Sequence, residues 1–102
     1  MADITQARRA LVARILEGDG EAPAAQRRAA FDNRGLTGAA AALVDKVARH
    51  AHRVTDEDVA AVRASGLSED QIYELVVCAA VGQATRQLEA GLAALAAATE
   101  RS

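Results

Sequence analysis

Apolar positions recur along the chain at the three- and four-residue spacing that is typical of amphipathic helices. The first such run ends at Gly18–Gly20, where two glycines interrupt it. Pro23 suits the first turn of a short second helix, which Gly35 would close. Thr37 can cap a third helix. The apolar positions of the first and third helices are Ile4, Ala7, Leu11, Val12, Ile15 and Leu16, and Leu43, Val44, Val47 and Ala51.

Two further helix starts lie in the segment HAHRVTDEDVAAVRASGLSEDQIYEL, residues 50–75. Thr55 with Asp58 is close to a capping box, and Ser68 with Gln71 is a proper one. Gly66 indicates a helix end between them. Acids in a first turn complement the helix dipole, and this accounts for most of the acidity here without catalysis. The first-turn acids are Asp56, Glu57, Glu69 and Asp70.

The final helix is predicted from about Glu69 to Ala98 and carries two apolar stripes. One face holds Ile72, Leu75, Val76 and Ala79. The other, which we call the seam, has the 4-3 spacing of a coiled coil and alternates larger with smaller residues. We expect the seam both to pack in the core and to join subunits of a homo-oligomer. The seam consists of Val77, Val81, Ala84, Leu88, Gly91, Leu95 and Ala98.

Length and composition then narrow the class of protein. A chain of 102 residues makes one domain, residues 1–102, which we expect to be all-α, with about five helices and a long C-terminal one. Formal net charge is −2, so no basic field attracts nucleic acid or an anionic membrane. The longest nearly apolar tract, Leu75–Gly82, is too short to span a membrane. We therefore expect a cytoplasmic protein.

His50 and His52 are the first candidates for chemistry. On a helix, residues two apart point in nearly opposite directions, so they would not share a metal ion. No Cys/His spacing supplies the other ligands of a zinc site, and we expect neither a metal nor another cofactor. We expect one histidine to be partly buried and the other solvated. An acid/base role beside Asp56, Glu57 or Asp58 stays open, because histidine titrates near neutral pH.

Two other motifs are better explained by structure than by function. Cys78 lies in an apolar part of the final helix with no Lys or Arg one turn away, so it should pack as a small hydrophobe. As the only cysteine, it also excludes an intrachain disulfide. The unit around Gly66 imitates a helix-turn-helix. Its second helix, however, would present Glu69, Asp70 and Glu74 to DNA phosphates, which argues against nucleic-acid binding.

The segment AVRASGLSEDQIYELVVCAAVGQATRQLEAGLAAL, residues 61–95, resembles the alkylhydroperoxidase D-like, carboxymuconolactone decarboxylase-like superfamily. Similarity extends more weakly back to about Leu43. The resemblance rests on a capped helix start followed by a long Ala-rich helix, and it implies a small all-α fold.

The same resemblance shows what this chain lacks. The peroxidase branch carries Cys-x-x-Cys-x-x-x-His, and an ungapped count places Ala51 and Val54 at its cysteines and Asp58 at its histidine. The acidic relay residue falls near Ala39. The decarboxylase branch has a histidine where this chain has Cys78. We therefore expect no dithiol peroxidase activity.

Two functions follow as hypotheses. The first is a non-redox member of this superfamily that acts as an oligomeric binding or accessory subunit, with another enzyme as a possible partner. The alternative is a small enzyme of the carboxymuconolactone decarboxylase-like type, which would use a histidine with an acidic neighbour on a small carbonyl or lactone substrate. A closed, polar-lined pocket containing a histidine would favour the enzyme.

Overall fold

The computed structural model describes residues 2–101, with side chains for residues 4–101. The described residues are 83% helical, with five α-helices and no strand among them, which confirms the all-α fold and its long C-terminal helix. The helices are α1 (Ala2–Glu17), α2 (Ala24–Asp32), α3 (Gly38–His50), α4 (Asp56–Ala64) and α5 (Glu69–Arg101), and a 3-10 turn (Ala51–Arg53) follows α3. No helix in this range is both long enough and apolar enough to cross a membrane.

Side chains close to the helix starts set the beginnings of α4 and α5. The Thr55 amide donates to Asp58 Oδ2 at 2.9 Å, and the Asp58 amide donates to Thr55 Oγ1 at 3.4 Å. At α5 the Ser68 amide donates to Gln71 Oε1 at 2.9 Å, and the Gln71 amide donates to Ser68 Oγ at 3.1 Å. Both capping boxes are confirmed, and each satisfies amides that have no partner within the helix.

The second helix ends earlier than the sequence predicts. Asn33, not Gly35, adopts the left-handed conformation that stops it, with φ 52°. The Asn33 and Arg34 amides donate to the carbonyls of Ala30 and Ala29 at 3.1 and 3.0 Å, which closes the last turn. Asparagine tolerates this conformation, and Gly35 with φ 98° serves the following turn instead.

The core lies around the first half of α5, against which α2 and α3 pack most extensively. Its predicted inner face is confirmed: Ile72, Leu75 and Ala79 are buried, and Val76 is half-buried. Two apolar clusters share this face. One joins α1, α2 and α3 to α5, and the other joins α3 and α4 to it. Their buried members are Leu16, Ala22, Ala30, Phe31, Val44, Leu75, Cys78 and Ala79, and Leu43, Val62 and Ile72.

Gly82 permits a close approach between α2 and α5. A methyl group at this position would overlap the carbonyl oxygen of Phe31 and lie 2.7 Å from its carbonyl carbon. Arg86, one turn later, donates from Nη1 to the same oxygen at 2.6 Å. The end of α2 can thus lie directly on α5 because Gly82 has no side chain, and the hydrogen bond from Arg86 holds it there.

Beyond this point α5 becomes exposed. We call residues 69–86 its core half and residues 87–101 its free half. Every residue of the free half is exposed. At 1.5 Å per residue the free half adds about 22 Å of helix, and the molecule is accordingly elongated, measuring 54 × 28 × 20 Å. A salt bridge of 3.5 Å between Arg8 and Glu89 ties its beginning to α1.

Candidate functional surface

Helix α1 runs antiparallel to α5 and borders its free half. The contacts show this direction: Arg8 pairs with Glu89, whereas Ile15, later in α1, shares a cavity with Cys78, earlier in α5. The start of α1 therefore lies beside the free half. Two large side chains of α1, Ile4 at 65% and Leu11 at 51%, are exposed although their spacing predicts a buried face.

Three leucines of the free half are exposed as well. Leu88, Leu92 and Leu95 have exposures of 43%, 46% and 64%. Between Glu89 and Glu100 the sequence AGLAALAAAT contains no charged residue, and all ten residues are exposed. We name the surface formed by Ile4, Leu11, Leu88, Leu92 and Leu95 the α1–α5 face.

The seam predicted from the sequence is divided between these two environments. Val77 and Val81 are half-buried, and Val81 packs against the protomer's own core. From Ala84 onward the seam is exposed, and a methyl group at Gly91 would meet no atom within 4 Å. The first two seam residues thus lie in or beside the core, as one part of the expectation has it, while a contact of the seam with another subunit stays a prediction. The other five seam residues are exposed: Ala84, Leu88, Gly91, Leu95 and Ala98.

The histidines lie elsewhere, at the end of α3 and in the 3-10 turn. Both are exposed, so the expectation that one would be partly buried is wrong. Their rings are also closer than helical spacing predicts, 6.3 Å between centroids and nearly perpendicular. The reason is that His50 leaves helical geometry, with φ −146° and ψ 54°. Neither histidine has a hydrogen bond or salt bridge to Asp56 or Asp58 among the described contacts.

Asp58 is committed to structure. Lys46 Nζ donates to its two oxygens at 3.1 and 2.9 Å, and Thr55 occupies Oδ2 as well. Lys46 first, and then Thr55, hold the pKa of Asp58 below its ordinary value. A carboxylate held in this way is a poor proton acceptor at neutral pH. The structure gives it the role of a cap and an ion-pair partner.

Asp56 and Asp45 complete the acidic surroundings. Asp56 lines a shallow depression on α4 with Val59, Ala60 and Arg63, and no histidine lines it. Asp45, rather than Asp56 or Asp58, interacts electrostatically with His50. A hydrogen bond from Asn33 is the main cause that lowers the pKa of Asp45, and the charges of Arg49 and His50 lower it further. Because the sequence places Asp45 five residues before His50, helical spacing alone does not single it out.

Cys78 is buried, 1% exposed, as the sequence indicates. Burial raises the pKa of its thiol, while the field of Arg27 opposes this rise and that of Glu74 adds to it. The sequence shows no basic residue near Cys78 along α5, but the fold supplies Arg27 from α2. Arg27 is itself 7% exposed, and no local pattern in the sequence predicts the burial of this one arginine among its neighbours.

No group of three or more His, Cys, Asp or Glu side chains within residues 4–101 is arranged to hold a metal ion. Neither histidine lines the better-formed cavities of this part of the chain. Comparisons with protein-family models, curated proteins and solved structures gave no match for this chain.

Proposed function

We propose that this protein is a non-redox, self-associating binding or accessory subunit, and that two copies meet through the α1–α5 face. The observation that carries the proposal is the uncharged segment 90–99, which continues α5 beyond its own domain with every residue exposed. Isolated helices of this length are marginal in water and gain most of their stability from packing on an apolar face.

The chemistry of the face favours a second copy of the same chain as the occupant. A two-fold contact brings residues near its axis close to their own copies, so charges there would repel. The segment 90–99 contains no such charge, and Glu89 and Glu100 lie at its two ends. The open space at Gly91 also lets another backbone approach closely.

The size of the face agrees with moderate affinity. A helix is about 10 Å across with its side chains, so the free half and the start of α1 together cover roughly several hundred Å². A standard interface buries about 800 Å² per partner, and smaller ones are weaker. We therefore propose association in the micromolar range rather than an obligate assembly.

We further propose, from the resemblance, that the chain is a diverged member of the alkylhydroperoxidase D-like, carboxymuconolactone decarboxylase-like superfamily. Residues 51 and 54 are not cysteines, and Cys78 is buried with a raised pKa, which supports a non-redox role. Two thiols are needed for the peroxidase cycle. Peroxide reduction that disappears in Cys78→Ser would contradict this assignment.

Sedimentation velocity tests the self-association. At tens of micromolar, a rough range for weak association, the wild type should sediment as an oligomer in exchange with monomer. Leu95→Lys should shift it to monomer with unchanged helicity, because Leu95 is 64% exposed within the protomer. Ala93→Lys is the matched control, since position 93 lies on the side of α5 opposite Gly91. A monomeric wild type, or equal effects of both lysines, would contradict the proposal.

A further inference from the structure

A cavity between α1, α2 and α5 has the features of a small-molecule site. Its volume is about 210 Å³, equivalent to about seven water molecules. The cavity can therefore hold only a small ligand. It is lined by Arg14, Ile15, Asp19, Arg27, Tyr73, Glu74, Val77 and Cys78, and all of these belong to one chain.

Arg27 provides a buried cation with a donor to spare. Its Nε donates to the carbonyl of Ala22 at 3.1 Å, and its Nη1 donates to the carbonyl of Ile15 at 3.0 Å. Nη2 has no acceptor in the described part of the chain. No buried side-chain nitrogen or oxygen there lacks a partner, so solvent reaches Nη2, and Arg27 lines this cavity. A guanidinium anchored through two groups is preorganised to bind a carboxylate with the third.

Glu74 provides the opposite charge beside it. Its Oε2 accepts from the Glu21 amide at 2.8 Å and its Oε1 from the Ala22 amide at 3.0 Å, which fixes the carboxylate while leaving lone pairs unused. A methyl group at Gly20 would lie 2.5 Å from Glu74 Oε1 and 3.5 Å from Arg27 Cζ. The two charged groups are therefore neighbours, yet they form no salt bridge with each other.

The remaining lining distinguishes among ligand classes. Arg14 and Asp19 add one further charge of each sign, so the lining carries no net formal charge that would favour a simple anion or a simple cation. Ile15, Val77 and Cys78 supply an apolar wall. A ligand that matches this arrangement carries a carboxylate, an ammonium and a short hydrocarbon group.

We propose that this cavity binds a free aliphatic amino acid as its zwitterion, with the carboxylate at Arg27, the ammonium at Glu74 and the side chain against Ile15 and Val77. The site is complete within one protomer, so it does not depend on the proposed self-association.

Titration of the ¹⁵N-labelled wild type by NMR tests this with three molecules of similar shape: valine, isovalerate and isobutylamine. Valine should shift the signals of Arg27 Nε and the Glu21 and Ala22 amides, with a dissociation constant on the order of 1 mM for so small a ligand. Each of the other two lacks one charged contact and should bind at least about tenfold more weakly. Equal binding of valine and isovalerate, or no saturable shift with valine, would overturn the proposal.

Two variants complete the test. Glu74→Gln keeps an acceptor for one of the two loop amides and removes the charge, and should weaken valine binding at least about tenfold without weakening isovalerate binding. Glu57→Gln, which removes an exposed carboxylate remote from the cavity, should bind valine as the wild type does. Leu95→Lys should also retain valine binding, which separates this site from the oligomer interface. Unchanged valine affinity in Glu74→Gln would overturn the assignment.

Discussion

The two halves of α5 belong to one unbroken helix, yet they are built for different surroundings. Each half contains a glycine. At Gly82, in the core half, the backbone of Phe31 occupies the space that a side chain would take. At Gly91, in the free half, the corresponding space is empty. Leucines differ in the same way, with Leu75 at 2% exposure and Leu95 at 64%.

This difference teaches where to look for an interaction surface. A helix that only completes its domain has little physical reason to continue for about 22 Å beyond it with apolar residues. An exposed apolar strip of this kind is uncommon on soluble monomers, which supports the proposed self-association. The comparison thus separates residues that stabilise the protomer from residues that have no packing role within it.

Replacing a leucine by alanine in each half should give the largest difference in the free energy of unfolding. Leu75→Ala leaves a cavity in the core and should lower the free energy of unfolding by about 2–5 kcal/mol. Leu92→Ala, at a position 46% exposed, should change it by less than about 0.5 kcal/mol in dilute monomer. Urea unfolding followed by circular dichroism measures both values. Similar losses would show that the free half packs on the domain.

Adding a methyl group to the core-half glycine should have the next largest effect. Gly82→Ala must displace the end of α2, because the new carbon would overlap Phe31. Overpacking of this kind costs about 1–3 kcal/mol, and a backbone obstacle places this variant near the upper end. A melting temperature equal to that of the wild type would mean that α2 does not approach α5 so closely.

A larger side chain at the free-half glycine should raise the stability of the monomer, in contrast to the loss expected at Gly82. In the monomer, Gly91→Leu should stabilise the helix by about 0.8 kcal/mol, since leucine is the better helix former and meets nothing there. In the oligomer the same side chain should fill the seam and weaken association. Helicity and sedimentation measured on the same samples distinguish the two effects. Stronger association, or none in either protein, would contradict this prediction.

Acid should give the smallest effect, which we predict for the ion pair of Lys46 with Asp58 between α3 and α4. Lys46 and Thr55 hold the pKa of Asp58 below its ordinary value of 3.8. The pKa of Asp58 is lower in the folded state than in the unfolded state. The resulting stabilisation is therefore fully present above the ordinary pKa and is lost as the pH falls through the pKa of the folded state. Asp58→Asn should therefore lose less stability than the wild type between about pH 5 and about pH 2. Urea unfolding at each pH measures this difference. Equal losses of unfolding free energy in the two proteins would show that the ion pair does not stabilise the fold.

Local and periodic features were predictable from the sequence. The boxes at Thr55 and Ser68 depend on residues three positions apart, and the buried face of α5 follows from helical spacing. The division of the seam near Ala84 was not predictable, because it depends on where α1 to α3 end in space.

The candidate sites depended even more on tertiary structure. Arg27 is buried because carbonyls of Ile15 and Ala22, around the loop between α1 and α2, converge on it. The histidine rings approach each other because His50 leaves the helical conformation, which residue spacing does not reveal. In both cases the decisive geometry comes from backbone at or just beyond the end of a helix.

Amide hydrogen exchange at two protein concentrations tests the central claim most directly. In a monomer the amides of residues 91–99 belong to a helix without tertiary support and should exchange fast, whereas those of residues 75–82 are protected by the core. We predict that a tenfold rise in concentration slows exchange in residues 91–99 severalfold and leaves residues 75–82 much less affected. Exchange of residues 91–99 that is independent of concentration across the micromolar range would contradict the account.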